Sequence, residues 1–172
     1  MTFLPQIEPV LDLNVIDRIA LRSPIRNQED AVKYLSKLII RPIEQVFAVF
    51  LASNLKPIAY MCCGSGNSHR CLVDVRGLVA SALMINAEAV ILVHTHPALA
   101  GKPHTPSQRD LRTTKKLREI LDFFGMTLMD SFILEHCSEN LEHLSLTSII
   151  DWIKDAESAS ETEEPEKEVA HS

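Results

Sequence analysis

Apolar and polar positions along the chain switch between two periods, and the switches mark out the elements. From Gln28 to about Ile40, the residues Ala31, Tyr34, Leu35 and Leu38 form one apolar stripe of a helix that Asn27 can cap. Near Gln45–Ala52 and Pro57–Cys63 the pattern is that of two strands, with Ser53 and Asn54 as turn residues between them. Asp74 can cap a further helix. Its Val75, Leu78, Val79, Ala82 and Leu83 fall on the spacing of a core-facing side, and Asn86 ends it. Val90-Ile91-Leu92-Val93 then reads as a short buried strand. A helix runs on to about Phe124, where Gly125 stops it, followed by strands at Thr127–Leu134 and near Leu141–Leu146. Ser148 starts a last helix carrying Trp152. Helices interleaved with strands predict an α/β layered domain.

The candidate chemistry lies just past the buried run. His94 and His96 are two apart, so an extended backbone sends both imidazoles from the same strand face. Thr105-Pro106-Ser107-Gln108 has the form of a helix start, with Thr105 as cap, Pro106 in the first position and Gln108 closing a capping box. Ser107 and Asp110, three apart, share a face of that helix. Two imidazoles and one carboxylate make three protein ligands with a fourth position open, the usual form of a catalytic Zn²⁺ site. Each residue taken singly has a plainer reading. Surface histidine pairs are common, Asp110 suits a helix first turn, and Ser107 is an ordinary capping hydroxyl.

His94-Thr-His96 with Ser107-Gln-Arg-Asp110 resembles the JAMM motif of JAB/MPN-domain metalloproteins, in particular the RadC-like branch. The resemblance extends from about Ile25 to about Leu134. Its most recognisable segment is Asn86-Ala-Glu-Ala-Val-Ile-Leu-Val-His94-Thr-His96-Pro97, supported by Glu44 to Leu51 and by Gly64-Ser-Gly66-Asn67. It implies the MPN fold, a curved mixed β-sheet flanked by α-helices, with zinc held by His94, His96 and Asp110. Ser107 would steady the water or the oxyanion. Three departures stand out. Ten residues, Pro97 to Pro106, separate His96 from Ser107, more than the family's usual spacing. Ser131 stands where the pattern usually has histidine after the aspartate matching Asp130. The acid/base glutamate is expected on the strand before the glycine turn, near Ala59 or Met61, and Pro57 to Cys63 contains no carboxylate. Glu44, Glu135 with His136, and His104 are carboxylates or imidazoles elsewhere that could stand in. Cys63 reads as a small core residue rather than a soft ligand.

Composition and charge change little. A chain of 172 residues, 46% hydrophobic, suggests one domain with a full core. No segment reaches the roughly 20 apolar residues of a membrane span. Met1 to Pro5 lacks the features of a signal peptide, so the expected compartment is cytoplasmic. Four cysteines without a Cys-x-x-Cys pair indicate reduced thiols. The expected organisation is an arm over residues 1–24, the RadC-like JAB domain over 25–154 and an acidic disordered tail over 155–172.

The chain is acidic overall, with a net charge of −6, which argues against strong nonspecific DNA binding. Arg109, Arg112, Lys115, Lys116 and Arg118 read as the solvated side of one helix. A nucleic-acid role, and DNA repair with it, therefore rests on family association alone. The elements of a zinc nucleobase deaminase are absent. Two functions remain open. One is a zinc-dependent metallopeptidase or isopeptidase acting on a protein or peptide substrate. The other is a JAB domain without turnover that serves as a protein-interaction module, the reading favoured by the absent glutamate.

Overall fold

The computed structural model describes residues 23–35, 44–66, 72–96, 105–136 and 144–161 of the chain. In chain order these hold α1 (Gln28–Leu35), β1 (Glu44–Leu51), β2 (Pro57–Gly66), α2 (Val75–Met84), β3 (Ala89–His96), α3 (Gln108–Phe123), β4 (Thr127–His136), β5 (Leu144–Ser148) and α4 (Ile149–Glu161). The strands form one mixed sheet in the order β2-β1-β3-β4-β5. β1 is antiparallel to both β2 and β3, β3 and β4 are parallel, and β4 and β5 are antiparallel.

Both sides of this sheet are covered, and the central strands show why their sequences are apolar almost throughout. Val46, Ala48 and Phe50 of β1, with Val90 and Leu92 of β3, join the cluster under α2 and α3 that contains Leu78, Ala82, Leu117 and Leu121. The alternating residues Phe47, Val49 and Leu51, with Ala89, Ile91 and Val93, face the other cluster, which Ile25, Ala31, Tyr34 and Leu35 close. Period-two alternation thus separates two cores along the same strands.

Local signals set the helix ends. Asn27 Oδ1 accepts from the N–H of Asp30 at 2.9 Å, and Asp74 accepts from the N–H of Gly77 at 2.9 Å. Asn86 (φ 51°) and Gly125 (φ 72°) take the left-handed conformation after α2 and α3, which turns the chain into the next strand. Ser148 Oγ accepts from the N–H of Asp151 at 3.1 Å and so starts α4.

Three expectations change. The helix start anticipated at Thr105 lies two residues later, with Ser107 as the cap. The strand anticipated at Leu141–Leu146 spans Leu144–Ser148. α4 runs through Glu161, so the first part of the acidic stretch expected to be disordered is helical. The alternation of Ala, Ser and Glu there keeps good helix formers in the run, and Ser158 Oγ donates back to Lys154 O at 2.8 Å. Residues 1–22 of the arm expected over 1–24, the C-terminal end of the first predicted helix, and residues 162–172 lie outside the described residues. Among the described residues no helix is long and apolar enough to cross a membrane.

Candidate functional site

Three elements meet at one end of the sheet: the start of β1, the end of β3 and the first turn of α3. Ligands of α/β sheets characteristically bind outside the carboxyl ends of strands, and β3 ends here in His94-Thr95-His96. His94 pairs with Val46 across the β1–β3 ladder, on the face that α3 covers.

The His94 imidazole lies between two carboxylates. Its Nδ1 is 3.4 Å from Asp110 Oδ1, and its Nε2 is 3.2 Å from Glu44 Oε1. All three side chains are mostly covered, at 14% exposure for His94, 16% for Asp110 and 12% for Glu44.

Asp110 is fixed by the helix start itself. Ser107 takes an extended backbone (φ −70°, ψ 157°) and accepts from the N–H of Asp110 at 3.2 Å. The Ser107 N–H donates to Asp110 Oδ2 at 2.9 Å, and the Ser107 hydroxyl donates to the same oxygen at 2.6 Å. This is a capping box closed by aspartate at the third position, in place of the one expected from Thr105 and Gln108. Burial alone would raise the Asp110 carboxyl, but the bonds from His94, the Ser107 hydroxyl and the Ser107 N–H outweigh it and hold Asp110 at about 2.

Glu44 is fixed by its neighbour in the ladder. Thr95, 3% exposed, accepts from the Gln45 N–H at 3.0 Å and donates back to Gln45 O at 3.2 Å. This clamp joins β1 to β3 beside both Glu44 and His94. Sequence reasoning gave Glu44 only as one of several stand-ins, because it expected the carboxylate near Ala59 or Met61. Those two residues pack against the α2–α3 cluster, opposite Phe50 and Ala48. At about 3.3 Å per residue they lie some 13–20 Å along the sheet from the level of Glu44. A signal was present: Glu44 opens a strand whose residues from Val46 onward are all apolar.

Of the expected metal ligands, the structure brings His94 and Asp110 together. His96 is the last residue of β3, two positions from His94, and its side chain lies outside the described residues, as does that of Glu135. His104 lies outside them altogether. Among the described residues no group of three or more His, Cys, Asp or Glu side chains converges as a metal site. Asp110 and Glu44 instead meet opposite nitrogens of the one imidazole. Cys63 is buried in the core, with its thiol donating to Val46 O at 3.4 Å, as its core reading requires.

Beside His94 and Asp110 is a small cavity of about 30 Å³, lined also by Arg109, Thr114, Ser131 and Ile149. That is room for one or two waters. Thr114 and Ser131, each 1% exposed, join hydroxyls across it at 3.0 Å. The serine found in place of the family's histidine is thus a buried partner of α3.

The family model of the RadC-like JAB domain matches residues 25–148. A UPF0758 protein of Marinomonas sp. (strain MWYL1) is 31% identical over 133 residues, 75% of this chain and 58% of its own length. A UPF0758 protein of Bordetella avium (strain 197N) is 32% identical over 133 residues, 74% of this chain and 56% of its own. One from Thermotoga maritima is 32% identical over 102 residues, 59% of this chain and 45% of its own. The chain spans about half the length of the curated relatives it matches.

Proposed function

The chain belongs to the RadC-like JAB domain family, and on that footing we propose that it is a zinc-dependent hydrolase of amide bonds, a metallopeptidase or isopeptidase. The observation that carries the reading is the His94 imidazole held between the carboxylates of Asp110 and Glu44.

The donors suit zinc in kind and in spacing. Imidazole nitrogen and carboxylate oxygen are common zinc ligands, and a tetrahedron with bonds of about 2.0–2.1 Å has an edge of about 3.3 Å. His94 Nδ1 and Asp110 Oδ1 stand 3.4 Å apart. His94, His96 and Asp110 would hold the ion. When bound, zinc supplies Lewis acidity, polarising a carbonyl and bringing the pKa of a water to about 7.

The remaining work falls to the chain's own side chains. Glu44, next to His94 and mostly shielded from solvent, is the group that takes a proton from water and hands it to the departing nitrogen. Ser107 acts first as a positioning residue, because its hydroxyl and its N–H both hold Asp110 Oδ2. Its hydroxyl reaches an oxyanion only by releasing that bond. The alternative of an interaction module without turnover drew its support from an absent glutamate, and Glu44 supplies a carboxylate at His94.

Elemental analysis of the purified protein tests the metal, and a panel of peptide and isopeptide substrates tests the chemistry. One zinc per chain is expected in the wild type, with almost none in His96→Ala or Asp110→Ala. Glu44→Gln should keep its zinc and lose about a hundredfold to ten-thousandfold in kcat. Absence of zinc after supplementation, or full activity in Glu44→Gln, overturns the proposal.

A further inference from the structure

Arg109 stands where helix formation gives no reason for it. It is the second residue of α3, in a first turn whose exposed N–H groups favour negative charge. Asp110 beside it satisfies that preference and closes the cap. Among the described residues Arg109 forms no ion pair. The two nearest site carboxylates are engaged with His94 and Ser107. Yet Arg109 lines the same cavity as His94, Asp110, Thr113 and Thr114. Its neighbours on the helix, Arg112, Lys115 and Lys116, are exposed residues outside that lining, so Arg109 is the cation that the cluster presents to the site.

Charge decides what such a residue selects. Without metal, the carboxylates of Glu44 and Asp110 repel a substrate carboxylate held close to them, and zinc would offset that repulsion when bound. Arg109 adds a positive charge beside them with or without the ion, and the planar fork of a guanidinium can donate to both oxygens of a carboxylate at once.

We propose that Arg109 selects substrates that carry a carboxylate beside the scissile amide. The proposal rests on the amide-hydrolase reading above. Two sources share this chemistry, an acidic side chain and a free chain terminus, and the choice of peptides separates them.

The test uses fluorescently labelled peptides of one parent sequence, followed by anisotropy on the full chain in chelator-treated, metal-free form. One pair differs by Glu against Gln, and the other by a free C-terminal carboxylate against an amide. We expect the wild type to bind one of the carboxylate forms about tenfold more tightly than its neutral partner. Arg109→Gln should erase the difference, Arg109→Lys should keep part of it, and Arg109→Glu should invert it toward a Lys-bearing peptide. Circular dichroism confirms the fold of these variants, each altered at an exposed position. Equal binding of both members of each pair, no binding of any peptide, or a preference that survives in Arg109→Gln overturns the proposal. The zinc-loaded protein supplies the second arm. An Arg109-dependent preference without cleavage upholds the carboxylate role and refutes the hydrolase reading. Cleavage with no charge preference does the reverse.

Discussion

Ser107→Ala removes two of the three bonds that join Ser107 to Asp110, leaving only the donation from the Ser107 backbone N–H. Loss of a serine cap costs about 1 kcal/mol, within a range of about 0.5–2. The hydroxyl also donates to an ionised carboxylate, a stronger bond than a neutral one, though its exposure reduces its worth. We expect a total near 1.5 kcal/mol, which for a domain of this size lowers Tm by about 3–6 °C. Thermal unfolding of the metal-free protein, followed by circular dichroism, measures it. The pH dependence is the sharper part. Asp110 is held at about 2 in the folded chain, below the ordinary carboxylate value near 3.9. Its folded value is depressed, so its contribution is present above about pH 4 and is lost as pH falls toward 2. The variant retains a smaller depression, so the gap between wild type and Ser107→Ala should be full at pH 5–7 and shrink between pH 4 and 2. A gap that stays constant down to pH 2, or that never exceeds about 0.3 kcal/mol, refutes the idea that the cap holds Asp110 ionised.

The other predictions concern the clamp, the core and the opposite edge of the sheet. Thr95→Val keeps the shape of a buried side chain but removes both hydroxyl bonds to the Gln45 backbone, at a cost of about 1–2 kcal/mol by urea denaturation, and no loss would show the clamp to be idle. Leu117→Ala empties a fully buried position between α3 and the sheet and should cost about 2–5 kcal/mol, so a value below about 1 would contradict its packing. Burial raises the Asp130 carboxyl above its ordinary value, with the Asp151 charge adding to it, against bonds from Ser148 and the Ser131 N–H. A raised folded value means stability that is present below about pH 4 and lost as pH climbs through the folded value. Asp130→Asn should therefore gain on the wild type as pH rises from about 3 to 7, and the reasoning fails if the wild type gains instead.

Much of the fold was legible because neighbouring residues decide it. Asn27, Asp74 and Ser148 cap their helices by bonds to residues three positions on, and Asn86 and Gly125 end theirs by backbone conformation. β3 announced itself because two cores bury it on both faces. His94 and Asp110 were legible as partners for a related reason: each sits at the end of an element whose boundary the sequence marks. Glu44 was not. Its place depends on β1 lying between β2 and β3, and on a ladder that joins Gln45 to Thr95 fifty positions later. Adjacency in sequence suggests only the β1–β2 hairpin, and matching the glycine turn then drew the expected carboxylate onto β2.

The two-residue shift of the cap carries the same lesson into the site. Thr105 and Ser107 are both capping residues by type, and Pro106 favours a start at Thr105. Only Ser107 has an acid three positions on, and that acid can return a bond to the cap backbone. The group that wins this local competition is Asp110, the same carboxylate that faces His94. Helix initiation therefore turns one oxygen of Asp110 toward the cap and leaves the other for the imidazole. The site needs no separate device to orient it. It follows that substitutions at Ser107 and at Asp110 should not add fully in stability, because both remove the bond from the Ser107 hydroxyl to Asp110 Oδ2. A double variant whose loss falls short of the sum of the two single losses, by about the worth of the hydroxyl–carboxylate bond, would show that the cap and the site are one structure. Fully additive losses would show that they are two.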